Sequence, residues 1–473
     1  MSSFIATGQR SAAYAGIVSL RWRVGAGLSP AAGEWVQGCA LPLVEYRPFV
    51  SVGVKAVMLR FLTAGESHGP GLVAILEGLP AGVAVSEASI REDLARRQAG
   101  YGRGGRMQIE TDYAVIQSGV RHGRTIGSPI ALLIENRDFS TGAGPDGKPW
   151  THTMSKEPVE DEVTPIHRLR PGHADTPGIS KYAAEDARDI LERSSARESA
   201  ARVAVGAVCR AFLAEFGIEV HSHVTNIGGV EARSTELGDG AEPIDWAAVE
   251  ESPVRCADPA ASKAMTEAID AAREDGDSVG GIIEVVATGM PIGLGSHIQW
   301  DTKLSTKLIA AVGSLNAVKG VEFGTGFAQA GARGSKVHDV IKPTEEWERG
   351  PDGSWARPWP RRSNNAGGLE GGMTTGEPLI VRAVVKPIAT LRTPLPTVDT
   401  GTGELAEAHY ERSDVTFVPT CGVIGEAMVL VTLAEAMLEK FGGDHVDETK
   451  RNHAAYMATI GPRTGATPTR TGA

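Results

Sequence analysis

The stretch Leu59–Leu76, LRFLTAGESHGPGLVAIL, decides the class of fold. Leu59 to Thr63 reads as a strand entering a glycine-rich turn, and Leu72 to Leu76 reads as a second strand. Between them Gly65-Glu66-Ser67-His68-Gly69 matches the G-x-S-x-G nucleophile elbow, which needs a strand, a sharp turn and then a helix. Here Pro70 and Gly71 lead into a short apolar run that ends at Gly78-Leu79-Pro80, so the required helix is missing. A serine hydrolase therefore stays as the alternative reading, and His68, displayed between glycines, becomes the residue of interest.

Outward from this stretch, helices and strands mix along the whole chain. Ser86 to Gln98 predicts a helix with Ser86 at its N-cap and Gly100 beyond its end. Ala183 to Phe216 predicts one long alanine-rich helix stopped by Gly217, with Glu198 and Arg202 as an i, i+4 pair. Ser262 to Glu274 and Glu426 to Phe441 read as further helices, and Ile282 to Ala287 and Leu379 to Val385 as strands. No repeat or Pro/Ser linker interrupts residues 58–460, which are expected to form one domain.

Three regions stand apart. Residues 1–57 carry five basic residues against two acids without periodicity. A transit peptide is one reading, and an extension upstream of a natural start at Met58 is preferred. Residues 461–473 are expected to be a disordered tail. Thr141 to Trp150 and Pro343 to Arg362 read as surface insertions, each with a Pro-Asp-Gly turn, the second tucking Trp347, Trp355 and Trp359 against the body.

Glycine supplies 58 of 473 residues, about one in eight against a usual one in fourteen. The glycines have no three-residue period, which excludes collagen, and 41% hydrophobic with 22% charged residues argues against disorder. A net charge of −11 disfavours coating of nucleic acid or of an anionic membrane. Cys39, Cys209, Cys256 and Cys421 are scattered, pointing to no zinc site or disulfide framework and to a reducing cytoplasm. No uninterrupted apolar run reaches the ~18 residues of a membrane span.

Two G-x-G-x-x-G matches, Gly100-Gly102-Gly105 and Gly142-Gly144-Gly147, lack the βαβ context of a dinucleotide site. More telling are Arg96, Arg97, Arg103 and Arg106, interleaved with glycines after a helix, which can bring several guanidinium forks to one small polyanion. Arg170-Pro171-Gly172-His173-Ala174-Asp175 adds a second loop histidine beside an arginine. Arg193 and Arg197 would share a helix face at i, i+4, where like charges repel unless an anion lies between them. Gly367 to Thr374 offers backbone groups to a planar ligand, and Lys386 and Thr390 could hold a terminal phosphate. Arg412-Ser413-Asp414 joins an arginine to a carboxylate. The inventory points to acid–base chemistry on a small, highly anionic substrate with a phosphorylated cofactor; a non-catalytic anion-binding protein is the third reading.

Gly65 to Gly69, Gly100 to Met107, Arg170 to Asp175, Arg193 to Arg202, Gly320 to Gly326, Gly367 to Thr374 and Arg412 to Asp414 together closely resemble the chorismate synthase family, from Met58 to about Ile460. The resemblance implies an α+β fold, a β-α sandwich of two antiparallel four-stranded sheets packed with helices, assembled as a homotetramer. It implies loss of phosphate and a ring hydrogen from 5-enolpyruvylshikimate 3-phosphate by 1,4-anti-elimination, giving chorismate with no net redox change. Reduced FMN is the implied cofactor, with an external flavin reductase as partner and NADPH as an indirect reductant. By motif, His68 would protonate the departing phosphate, His173 would stabilise the anionic flavin, and Asp414 would help pass the substrate's proton to it. Arg97, Arg103, Arg106, Arg170, Ser195 and Arg197 would bind substrate anions, although Arg97 and Arg103 match positions often assigned to NADP in the family. Arg193, Ser194, Ser195, Asn316, Ala317, Gly371, Lys386, Pro387, Ile388, Ala389, Thr390 and Arg412 would line the FMN site, and no metal is implied.

Overall fold

The computed structural model describes residues 59–103, 111–144, 146–160, 163–234, 242–350, 355, 357–411 and 413–462. The expectations for residues 1–57 and for the tail after residue 462 lie outside them, as do Arg106 and Arg412.

The opening stretch forms the predicted strand pair, β1 (Arg60–Ala64) and β2 (Gly71–Glu77). With β3 (Ala114–Ile116) and β4 (Ile130–Glu135) they make an antiparallel sheet in the order β1-β2-β4-β3. Period-two burial sets its register: Leu72, Ala74 and Leu76 pair with Ile134, Leu132 and Ile130, all turned inward, while Val73 and Ile75 stay exposed. The second antiparallel sheet contains β5 (Glu219–Ile227), β6 (Val230–Glu231), β7 (Gly281–Thr288), β8 (Val318–Phe323) and β9 (Leu379–Val385), in the order β8-β9-β7-β5-β6. Two antiparallel sheets packed with helices are as expected, except that the second gains a fifth, two-residue strand, β6, paired with the end of β5.

The main helices are α1 (Glu87–Gln98), α2 (Asp175–Tyr182), α3 (Arg188–Ser194), α4 (Ser199–Ala214), α5 (Pro259–Asp275), α6 (Leu304–Gly313) and α7 (Val418–Phe441). Helix α4 packs on β2 and β4, α7 packs on β5 and β7, and the two helices pack on each other between the sheets. Gly206 permits that close approach, since a Cβ there would lie 2.5 Å from the Ala427 Cβ.

Three helix boundaries differ from the sequence reading. The segment Ala183 to Phe216 is not one helix. It contains α3, an extended Ser195 with ψ 145°, a 3-10 turn Ala196–Glu198, and α4. The two serines stop it: Ser194 Oγ bonds back to the Ile190 carbonyl, and the Ser195 side chain accepts from the Arg197 amide. Arg193 and Arg197 therefore do not share a face. The Glu198–Arg202 ion pair does form, at 2.9 Å. Helix α5 starts at Pro259 because Asp258 caps it. Helix α7 starts eight residues before Glu426, its Pro419 accommodated in the first turn.

Helix α7 has the length and apolarity of a membrane span but is the core helix, 89% buried over its most apolar window. Its one interior charge, Glu426, is fully buried and faces three arginines. Arg96 Nη2 donates to Glu426 Oε1 at 2.8 Å, Arg210 Nη2 to Oε2 at 2.7 Å, and Ser222 Oγ to Oε1 at 2.7 Å. Arg255 lies at 3.4 Å, and Asp93 and Glu250 balance the remaining charge. Arg96 thus belongs to the scaffold, away from the anion cluster with which the sequence groups it.

Burial opposes ionisation of Glu426, but Arg96, Arg210 and Arg255 hold its carboxyl well below the usual range. Burial likewise opposes Arg255 and Arg96 at Glu250, which they bring down to about 2. A carboxylate depressed on folding contributes stability above its unfolded pKa, near 4.5, and loses it as pH falls through the folded value. Acid denaturation is expected to steepen between about pH 4.5 and 2. Glu426→Leu should cost about 3–5 kcal/mol at neutral pH, because it removes the fully buried carboxylate on which buried Arg255 and partly buried Arg96 and Arg210 converge, and should flatten the acid limb; urea melts across pH test both.

Candidate active site

Loops at one end of the two sheets enclose a cavity of about 840 Å³. His68, Arg97, Arg103, Arg170, His173, Ser194, Ser195, Arg197, Asn316, Ala317, Lys386 to Thr390 and Asp414 all line it. Residues drawn from motifs more than 300 positions apart thus share one chamber.

His68 sits in the turn between β1 and β2. Gly65 makes that turn possible, with φ +107° and a virtual Cβ only 2.3 Å from the Gly71 carbonyl oxygen. The loop is tied by buried Asn136, whose Nδ2 donates to the carbonyls of Glu66, Ser67 and Gly69 at 3.0, 3.2 and 2.8 Å. The imidazole stacks on Trp150, with centroids 3.8 Å apart, and its Nδ1 lies 2.9 Å from Glu192 Oε1. A carboxylate only accepts, so Nδ1 carries the proton there, and any proton exchanged with a ligand passes through Nε2.

His173 is oriented by the same device. Its Nδ1 bonds to Asp175 Oδ1, while Asp175 also receives the Arg170 guanidinium at 2.9 and 3.0 Å and the Arg170 amide at 3.1 Å. Burial opposes ionisation of Asp175, but the His173 and Arg170 hydrogen bonds prevail and hold it far below the usual carboxylate range.

Opposite lies the anion cluster. Arg97 is almost fully buried, with Nη1 on Asp112 Oδ2 at 3.1 Å and Nη2 on the Ala196 carbonyl at 3.1 Å. Arg197 bonds to Asp112 Oδ1 and, through Nε, to Asn136 Oδ1 at 2.9 Å. Arg103 Nε stands 3.3 Å from Asp414 Oδ2. Burial pulls the Arg97 guanidinium down to about 10, against Asp112 and with the help of Arg197 and Arg103. An anion bound beside this guanidinium would offset the burial and the neighbouring arginines that disfavour its charge.

Across the cavity, Lys386 donates to the Gly172 carbonyl, and burial and neighbouring Lys319 push its ammonium pKa down. Thr390 Oγ1 accepts from Arg170 Nη1 at 3.2 Å. The Asn316 side chain bonds to the Ser194 carbonyl at 2.9 Å, and the Lys386 amide to the Ala317 carbonyl, joining the two halves of the wall.

Two predicted residues do not line the cavity. Arg193 is exposed and donates to the carbonyls of Gly65 and Thr63, bracing the His68 turn from outside. Gly371 lies in the hairpin Leu369–Thr374, near His297. The insertion Thr141 to Trp150 is largely exposed, as expected, but it also supplies wall: Ala143, Gly144 and Trp150 line the cavity, and Trp150 is 3% exposed. The other insertion does tuck in, with Trp347 buried and in edge contact with Trp355 and Trp359 at 5.1 and 5.0 Å.

Sequence reasoning missed Asp112, Asn136, Glu192 and Glu411. None falls within the quoted motifs, and the contacts that tie them to the site, such as Glu192 to His68 and Asn136 to Arg197, join residues well separated along the chain. Glu411 lines the cavity, and burial there is outweighed by His409, Arg170 and His68, which bring its carboxyl to about 2.

Comparison with known proteins fits this geometry. The chorismate synthase family model matches residues 59–438. The chorismate synthase of Thermobifida fusca is 50% identical over 414 residues, covering 85% of this chain and 99% of that protein. That of Geobacter sulfurreducens is 53% identical over 413 residues, covering 85% and 99%. A crystal structure of a chorismate synthase superposes with a TM-score of 0.66 at 40% identity, covering 85% of this chain and 98% of that one. This chain, with its arginine-lined cavity and two carboxylate-held histidines, belongs to the chorismate synthase family.

Proposed function

We propose that this enzyme converts 5-enolpyruvylshikimate 3-phosphate to chorismate by 1,4-anti-elimination, with reduced FMN as cofactor. The observation that carries the reading is the cluster Arg97, Arg103 and Arg197, joined by Arg170, in one cavity with two oriented histidines. A substrate with one phosphate and two carboxylates matches that excess of guanidinium in number and in bidentate geometry. The elimination breaks a C–O bond to phosphate and a C–H bond on the ring and leaves a new double bond. His68 protonates the departing phosphate through Nε2, and the Asp414 carboxylate handles the ring proton.

The cavity's other half suits FMN. Partial burial and neighbouring Lys319 both disfavour the charge on Lys386, which a phosphate would relieve, and Leu315 and Ile388 give an apolar surface for a ring system. Ser194, Ser195, Asn316, Ala317 and Lys386 to Thr390 would hold the cofactor, with His173 beside its charge. Reduced FMN, when bound, supplies an electron-rich partner for a reaction without net redox change. An external flavin reductase drawing on NADPH would provide it, in the cytoplasm. The serine-hydrolase alternative has little support: the Ser67 turn leads into β2 rather than the helix a nucleophile elbow needs, and Ser67 is buried.

Anaerobic phosphate release from 5-enolpyruvylshikimate 3-phosphate should require reduced FMN; no release under those conditions overturns the reading. His68→Ala and Asp414→Ala should each lower turnover about 10²–10⁴-fold, whereas Ser67→Ala tests the hydrolase alternative. NADPH alone should not reduce FMN in the presence of the purified chain. We also read the protein as a homotetramer, consistent with Leu62, Val73 and Ile75 exposed on the outer face of the first sheet. Light scattering should give four times the 49.6 kDa chain mass.

A further inference from the structure

We infer that Glu192 is a positioning residue for the reaction, acting through His68. The inference rests on the proposed role of His68 as proton donor.

Glu192 grips the Ser67-His68 dipeptide at four points. Its Oε1 and Oε2 lie 2.9 and 3.1 Å from His68 Nδ1, Oε2 accepts the His68 amide at 2.8 Å, and its main-chain carbonyl accepts the Ser67 amide at 3.0 Å. Position follows from the helix. Glu192 stands in the last turn of α3, where carbonyls lack intrahelical partners, so the turn supplies a backbone acceptor and a side-chain acceptor together. Arg188, one turn earlier, donates to Oε1 at 3.1 Å and lies 5.3 Å from the Trp150 ring centre. Trp150 stacks on the other side of the imidazole, so a carboxylate and an aromatic face together fix the ring plane.

This arrangement goes beyond what fold stability needs. The Glu192 side chain is 2% exposed and both its oxygens are occupied by donors, which leaves it as an acceptor only. An acceptor on Nδ1 sets the tautomer and orients Nε2 for transfer. The proton given to the leaving phosphate comes from Nε2 of the doubly protonated His68 ring, which is left as the neutral Nδ1–H tautomer, and Glu192 neither gains nor loses one. Asp175 does the same for His173, but it is shared with a three-bond Arg170 clamp and therefore cannot be tested as cleanly.

The test is a double-mutant cycle on the full chain with reduced FMN, comparing His68→Ala, Glu192→Gln and the double variant. Glutamine keeps the size and the backbone acceptor but can present an N–H to Nδ1. Glu192→Gln should lower kcat about 10- to 100-fold, the range for a carboxylate that orients a working imidazole, with KM within about twofold and the thermal midpoint retained. In the His68→Ala background the same substitution should have no further effect, because the residue it acts through is gone. Nitrogen NMR of the imidazole should show the Nδ1–H tautomer in the parent and its loss in Glu192→Gln. If His68→Ala is impaired while Glu192→Gln keeps its kcat, or if the two losses multiply in the double variant, Glu192 is structural and this inference fails alone. If His68→Ala keeps full turnover, it is the proton-donor reading that fails.

Discussion

A guanidinium group taken out of water needs a carboxylate, and this requirement organises the protein twice. Around Glu426, three arginines from α1, α4 and the segment after Glu250 meet three carboxylates, Glu426, Asp93 and Glu250. That network balances, and it pins helices to β5 through Ser222. Around Asp112, Arg97 and Arg197 meet one buried carboxylate between them, and Arg103 leans on a partly exposed Asp414. The first cluster is scaffold and the second lines the cavity, though their chemistry is the same. Adjacent residues fall on opposite sides of this division: Arg96 belongs to the first and Arg97 to the second.

The break after Ser194 carries this charge arrangement into three dimensions. A continuous helix would have aimed Arg193 and Arg197 the same way. The extended Ser195 instead sends Arg193 out to the β1–β2 turn and Arg197 inward to Asp112 and Asn136. It also ends α3 at the point where Glu192 can take hold of His68. Asn136 closes the circuit, with its amide nitrogen on the His68 turn and its oxygen on Arg197. The His68 turn and the arginine cluster are therefore one hydrogen-bonded unit, and a shift in either reaches the other through the Asn136 side chain.

Much of this was legible in the sequence because local chemistry encodes it. Apolar patterning defines β1 and β2, the Ser86 cap defines α1, and glycine–arginine interleaving marked Arg97 and Arg103, which line the cavity. What local patterns could not reveal were partners distant in sequence: Asp112 for Arg97, Glu192 for His68 at a separation of 124 residues, and Glu426 for Arg96 at 330. Two readings were incomplete for different reasons. Composition made Ala183 to Phe216 one helix, but the Ser194 side chain bonds back to its own helix and Ser195 turns extended. Thr141 to Trp150 is largely a surface loop, yet its last residue, Trp150, is buried by stacking against His68, a tertiary contact that local pattern does not encode.

The two histidines face the same cavity through different supports, and the difference bears on their tasks. Asp175 is completely buried, opens a helix and is clamped by an arginine that also reaches Thr390, so His173 is fixed to the wall beside Lys386. Such a rigid, charge-compensated imidazole is suited to holding steady beside a bound anion. His68 instead rides on a turn between strands, held by one carboxylate, one aromatic face and one asparagine. Its surroundings include Glu192 and Glu411 as well as Arg188, charges of both signs gathered about one turn. On the proposed chemistry His68 is the group that hands over a proton and His173 the one that stays beside a bound anion, and the two supports differ in the same sense.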